Sequence, residues 1–359
     1  MSNDKPIDNL ATDTDLLKKQ LQIWFSSQMP QARELRISEI SAPGATGMSN
    51  VTLLFDVMWE EGGKQQQKPC VGRLPPRSTN PLFPEYDLKS QYEVMRILGT
   101  RTDVPAPPMM GYSDDESILG APFYIMERVK GEAPPDLPPY HQGGWIHDEL
   151  SPEQRTVLWN SGLHAMSQIH TLDVSDLGLD FLAKPELGAS PIEQDIQYWE
   201  HFKAWGIDVP MPACEAAFAW LKENLPANEA TALCWGDARL SNVMFADNYR
   251  DVTALLDWEM ATLGNPVKDL AWWITLDRIL SEGIGIERLP GMPGREESIT
   301  EWERYTGRSA ENYHYYEIFA ALRHALIIGR FSTVQGKTTD EIANNFVAVF
   351  LANIMGISA

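Results

Sequence analysis

Apolar residues recur at helical spacing in "TDLLKKQLQIWFSSQM", where Leu17, Leu21, Trp24 and Phe25 share a face and predict a helix near the N-terminus. Beyond it the period shortens. "LRISEISAPGATGMSNVTLLFDVMWEEGG" reads as strand, Gly-rich turn and strand, "EEGGKQQQK" as a hairpin tip, and "PCVGRL" as the start of a third strand. "YDLKSQYEVMRILG" returns to helical spacing, with Tyr92, Met95 and Leu98 on one face and Gly99 closing the helix. Two strand-like runs follow, "PPMMGYSD" and "PFYIMERV". The Pro- and Gly-rich "KGEAPPDLPPYHQGG" then marks a boundary or an ordered insertion near residues 128–145.

The remainder is mostly helical. "SPEQRTVLWNSGLHAMSQIHTL" opens with a Ser151 cap and a Pro in its first turn, and further helical runs continue to "FVAVFLANIMGI" near the C-terminus. Two short strand-like runs interrupt them, around "CWGDARLSNVMF" and "VTALLDWE". The pattern predicts an α+β fold of two lobes. Residues 1–128 form a small β-rich lobe with a leading helix, and residues 129–359 a larger helical lobe.

Composition narrows the function classes. A chain of 359 residues with 43% hydrophobic and 22% charged residues suits a soluble globular protein with a large core. Its formal charge of −21 opposes binding to nucleic acid or anionic membranes, and favours cationic ligands if it does more than confer solubility. The three cysteines, Cys70, Cys214 and Cys234, are scattered, so neither a disulfide framework nor a CxxC metal pair is expected. A polar N-terminus and the lack of any run of about 18 apolar residues predict a cytoplasmic protein without a membrane span.

The candidate chemistry lies in the two interrupting runs. Asp237 follows Gly236 at the end of an apolar run, Asn242 comes five residues later, and Asp257 ends the next run. Such residues belong in ordinary turns. They also make a working set: a carboxylate to accept a hydroxyl proton, and an amide oxygen and a second carboxylate as hard donors for Mg2+. Arg239, two residues past Asp237, either faces a transferring phosphate or is an ordinary arginine, solvated or paired with a carboxylate. His164, His170 and His201 show no metal-ligand spacing, and no GxSxG elbow is present.

The D-x4-N spacing with a later Asp resembles the catalytic and metal-binding elements of protein kinases. More closely, "WGDARLSN" and "LLDWEMATLGNPVKDLAWW" resemble the aminoglycoside phosphotransferase/choline kinase-like family, whose loop reads HGDxxxxN before a DW segment. "SNVTLLF", "DVPAPPMMGYSDDESILGAPFYIMERVKG" and "ERLPGMPGREESITEWERYTGR" extend the resemblance over most of the chain. They are similar to the bacterial subgroup akin to kinase-like domains fused to acyl-CoA dehydrogenases. The resemblance implies a protein-kinase-like fold, ATP and Mg2+ as cofactors, Asp237 as catalytic base, Asn242 and Asp257 as magnesium ligands, and Asp269 as a brace for the loop. Trp235 stands where the family has His.

The same resemblance places nucleotide contacts in the first lobe. The turn "GATGMSN" supplies Gly47, Ser49 and Asn50 over the phosphates, Arg73 in "CVGRLPP" the cation, and Glu127 and Val129 the backbone groups of the adenine hinge. Each also reads as an ordinary hairpin or strand residue. The acid that would partner Arg73 falls on Gln91, with Glu93 on another helix face. Tyr198, Trp199 and Tyr316 are candidates for lining an acceptor pocket. The expected function is a kinase phosphorylating a hydroxyl of a small molecule, aminoglycoside-like or hydroxyacyl. The alternative is a non-catalytic ligand-binding protein on the same scaffold.

Overall fold

The first helical pattern forms α1 (Thr14–Gln28), and its buried residues are Leu17, Leu21, Trp24 and Phe25, the face read from the sequence. The structure is a computed structural model that describes residues 14–42, 50–227 and 229–357. It divides into two units, Met1–Gly99 with Pro107–Val129, and Thr100–Ala106 with Lys130–Ala359.

In the first unit, β1 (Arg33–Ile37), β2 (Val51–Glu61) and β3 (Lys64–Leu74) are followed by α2 (Leu88–Arg101), β4 (Met109–Ser113), α3 (Glu116–Leu119) and β5 (Phe123–Glu127). The strands make one antiparallel sheet in the order β1-β2-β3-β5-β4. β3 starts earlier than expected, at Lys64, because Gly62 and Gly63 take φ of 58° and 74° and close a two-residue hairpin that pairs the polar "KQQQK" with β2. α1 packs its apolar face on the sheet through Phe55, Val57, Phe123 and Ile125. Trp24 lies edge-on to Phe123 at 5.2 Å, and a Cβ on Gly111 would approach Trp24 to 2.8 Å. α2 does not stop at Gly99 but runs to Arg101; it buries Leu88, Gln91, Val94, Met95, Ile97 and Leu98, while Tyr92 is half-buried.

The second unit holds α4 (Trp145–Asp148), α5 (Pro152–His170), α6 (Pro191–Gly206) and α7 (Pro212–Glu223). Two short ladders follow, β6 (Ala232–Cys234) with β9 (Thr262–Gly264), and β7 (Val243–Phe245) with β8 (Val252–Leu255). Then come α8 (Val267–Ile279), α9 (Arg295–Thr306), α10 (Tyr313–Val334), α11 (Thr339–Ala343) and α12 (Phe346–Met355). Ser151 caps α5 as expected, and the structure adds a capping box with Gln154. α8 is buried on nearly all sides, from Val267 through Asp277, which makes it the central element of this unit. α10 packs along it. Among the described residues, no helix is long and apolar enough to cross a membrane.

Cys70, Cys214 and Cys234 are free and buried. Burial pushes the Cys70 and Cys214 thiols up to about 12 and raises that of Cys234 as well. The thiolate is the reactive form, so the native protein is expected to be inert to a thiol reagent at pH 8 and to expose three thiols on unfolding. Fast labelling of any thiol in the native protein would contradict this packing.

Candidate active site

The two ladders hold two polar turns. Asp237 lies on the loop from β6 to β7, Asn242 ends a 3-10 turn on the same loop, and Asp257 lies just beyond β8. Gly236 has φ of 90°, and a Cβ there would come within 1.9 Å of the Met260 carbonyl oxygen, so the chain admits only glycine before Asp237. Asp257 itself sits in the left-handed region at φ 61°, a conformation that Asp tolerates better than most residues. The turns are joined through one residue: Leu256 N donates to Asn242 O at 2.8 Å, and Trp235 Nε1 donates to Leu256 O at 2.8 Å.

Three donors meet the Asp237 carboxylate. Asn242 Nδ2 reaches Oδ2 at 2.7 Å, Arg239 Nε reaches Oδ2 at 2.9 Å, and Trp272 Nε1 reaches Oδ1 at 2.9 Å. Asn242 Nδ2 also donates to Asp237 O at 3.0 Å, so its amide nitrogen faces two acceptors and its oxygen is the opposite end. Burial works to raise the Asp237 carboxyl, but the Arg239 cation and the three hydrogen bonds outweigh it and hold it below the usual carboxylate range. Arg239 bridges two carboxylates, Asp237 and Asp136. Of its two sequence readings, the pairing with carboxylates is the one seen. Asp136 lies in the Pro-rich segment 128–145, which carries no functional motif.

Beneath the loop, Asp269 at the start of α8 is fully buried and accepts from Trp235 N at 2.6 Å and Gly236 N at 3.0 Å. His170 Nε2 meets it at 3.1 Å. Trp302 Nε1 donates to His170 Nδ1 at 2.9 Å, which fixes the proton on Nε2 and makes His170 a donor to Asp269. Burial would raise the Asp269 carboxyl, yet His170 and the Gly236 amide hold it low. Trp235, where the resemblance implies a histidine, is buried against Trp258, with ring centroids 5.9 Å apart.

In the first unit, Arg73 lies in the middle of the sheet. Thr52, Arg73 and Tyr124 are in register across three strands, and Arg73 Nη1 donates to Thr52 Oγ1 at 3.0 Å. Gln91 is buried and accepts from Tyr124 Oη at 3.3 Å, while Glu93 pairs with Arg96. Glu127 donates its N–H to Pro108 O at 2.8 Å, and its side chain pairs with Lys68. Val129 ends this unit just past β5. Asn50 is buried. Gly47 and Ser49 lie outside the described residues. In the second unit, Trp199 and Tyr316 are buried in the helical core and Tyr316 donates to Glu229, so they do not offer an open pocket wall.

Residues 61–306 match the profile of the phosphotransferase enzyme family. The chain belongs to that family. Its members' resemblance extends to solved structures. A Ralstonia eutropha protein ascribed to the aminoglycoside phosphotransferases superposes with a TM-score of 0.69 at 25% identity, covering 95% of this chain and 99% of that one. An aminoglycoside phosphotransferase in ternary complex with AMP-PNP and hygromycin B gives 0.58 at 14% identity, covering 94% and 98%, and shows the shared fold alone. With these neighbours, the β-rich first unit and helical second unit are the two lobes of a protein-kinase-like α+β fold. An Arabidopsis thaliana protein assigned as an acyl-CoA dehydrogenase is 28% identical over 304 residues, 78% of this chain. The chain spans about a third (34%) of that relative's length.

Sequence reasoning missed Trp272, Asp136 and His324 around Asp237. His324 on α10 has its ring 5.9 Å from that of Trp272, and its Nδ1 is buried without a hydrogen-bond partner among the described residues. Burial pulls its pKa from 6.5 to about 4, against Asp237 and Asp136 and with Arg239 and Arg323. The native state therefore keeps it neutral where the unfolded chain takes up a proton. Its contribution to stability is complete above about pH 6.5 and is lost as pH falls toward about 4. Urea unfolding of wild type and His324→Asn between pH 7 and pH 4 is expected to show wild type losing stability that the variant does not lose; parallel profiles would refute the assignment.

Proposed function

We propose that the chain is an ATP- and Mg2+-dependent phosphotransferase that phosphorylates a hydroxyl of a small molecule. The observation that carries this reading is the Asp237–Asn242 side-chain hydrogen bond at 2.7 Å, on a loop tied through Leu256 to the turn bearing Asp257. It gathers a proton acceptor and two hard oxygen donors on adjoining turns. The donor set fits magnesium, which takes one or two protein carboxylates or amide oxygens and completes its shell with phosphate and water. Asn242 offers its amide oxygen because its nitrogen is committed to Asp237, and Asp257 offers a carboxylate. When bound there, magnesium supplies charge neutralisation on the phosphates.

Asp237 is the residue for the acceptor. A carboxylate accepts about four hydrogen bonds, and three are already made, so one direction on Oδ1 is left for the incoming hydroxyl. Held below the usual carboxylate range, Asp237 is a weak base. Its main work is to orient the hydroxyl, taking the proton as the new O–P bond forms and the bond to the departing diphosphate oxygen breaks. Arg239 is assigned to the transferring phosphoryl group, exchanging Asp136 for phosphate oxygens. Arg73 and Asn50, with Gly47 and Ser49 of the preceding loop, are assigned to the phosphates, and the backbone of Glu127 and Val129 to adenine.

Two acceptor classes have support. A chain of charge −21 attracts a polycation such as an aminoglycoside, and a structural neighbour holds hygromycin B. A hydroxyacyl compound is the lead from the relative assigned as a dehydrogenase. A non-catalytic role is favoured by one observation, the neutral Gln91 buried against Tyr124 where the resemblance implies an acid.

Transfer from γ-labelled ATP to a panel of both acceptor classes, with wild type and Asp237→Asn, separates the readings. Wild type is expected to transfer label in a magnesium-dependent manner, and the variant to lose about 10²–10⁴-fold in rate while still binding ATP. Undiminished transfer by the variant would sink the role of Asp237. Nucleotide binding without transfer to any acceptor would favour the non-catalytic reading.

A further inference from the structure

A second buried charge grips the catalytic turn. Arg323, midway along α10, is 3% exposed and donates from Nη2 to the Gly236 carbonyl at 2.9 Å. Its guanidinium carbon lies 4.3 Å from the Trp272 ring centroid, 5.4 Å from that of Trp199 and 5.5 Å from that of Phe319. Its Nε and Nη1 are buried and make no hydrogen bond among the described residues.

This is an uncommon way to keep a cation. Buried charges are ordinarily paired and fully hydrogen-bonded, because desolvation is costly. An arginine in a protein interior keeps its proton all the same. Burial draws its pKa down, while Asp195, Asp269 and Asp237 draw it up from a distance. The aromatic faces supply part of the compensation through cation–π attraction. They leave the guanidinium with one directed bond, to the peptide that immediately precedes Asp237.

The other end of the same residue meets the opposite charge, since Gly236 N donates to Asp269 Oδ1 at 3.0 Å. Gly236 thus lies between a buried anion on its N–H and a buried cation on its C=O, supplied by α8 and α10. The two bonds together set the rotation of both peptides that flank its Cα. That rotation carries the unusual φ of 90° and decides where the Asp237 side chain leaves the loop.

We propose that Arg323 is a positioning residue: caged by Trp199, Trp272 and Phe319, it holds the Gly236 carbonyl so that the turn presents Asp237 in one orientation. Trp272 has two tasks in this arrangement, since its face carries the guanidinium while its Nε1 binds Asp237. The kinetic consequence rests on the phosphotransferase reading above; the structural consequence does not.

The test uses the full chain with Arg323→Met, which fills the cage without a donor, and Arg323→Lys, which keeps the charge but loses the planar fork. Hydrogen–deuterium exchange of the segment 234–242 is expected to quicken in both. For phosphate transfer, the Met variant is expected to lose about tenfold or more in kcat, with KM for ATP within about twofold of wild type, because a small misplacement of a reacting group has that effect. The Lys variant is expected to fall between Met and wild type. If the Met variant does not fold by circular dichroism, the Lys variant decides, with a loss of about threefold in kcat and quickened exchange. Wild-type exchange and kcat in either folded variant, or a loss lying wholly in KM, overturns the proposal. If wild type transfers no phosphate at all, the functional reading fails while the exchange result still decides on the clamp.

Discussion

The candidate site depends on the buried carboxylate of Asp269. Three donors converge on it, the amides of Trp235 and Gly236 and the ring of His170, and only an ionised carboxylate offers enough acceptor capacity for all three. The two amides belong to a turn that makes no regular ladder bonds there, so without Asp269 they would be orphaned in the interior, at a cost of about 1–3 kcal/mol each. His170 cannot turn away, because Trp302 fixes its other nitrogen. The result is a relay from α9 through α5 and α8 to the loop, in which each member has one available partner geometry.

Everything above the brace follows from its rigidity. Gly236 accepts a left-handed backbone that only glycine can take against the Met260 carbonyl, and Asp237 leaves the turn toward Asn242, Arg239 and Trp272. The indole of Trp235 then ties the loop to Leu256, next to Asp257. Trp235 makes this connection through its one indole N–H donor. Short strands suffice because β6 with β9 and β7 with β8 need only hold the two turns, while α8 and α10 supply the buried bulk.

Local chemistry was legible in the sequence and distant chemistry was not. Asp237, Asn242 and Asp257 stand out because Gly-Asp, a five-residue step and an apolar run before the next Asp are short-range features. The face of α1 was read correctly from period alone, and the Ser151 cap from the Ser-Pro that opens α5. By contrast, Trp272 and Arg323 sit in continuous apolar helices, where an indole or a long cation looks like packing. Their contacts with the loop span 35 and 87 residues and are set by how α8 and α10 cross beneath it. Trp199 and Tyr316, expected in a pocket wall, instead fill that helical core. β3 began early because its polar residues pair across the Gly62-Gly63 turn, a gain that hydropathy does not register.

The most direct measurement is hydrogen–deuterium exchange over the segment 234–242 in Asp269→Asn, compared with wild type. An amide side chain offers one oxygen to three donors, so at least one backbone N–H loses its partner. A loss of about 1–3 kcal/mol should speed local exchange there about tenfold or more. Peptides of β2 and β3 should exchange as before. Exchange in 234–242 equal to that of wild type would contradict the claim that Asp269 holds the loop.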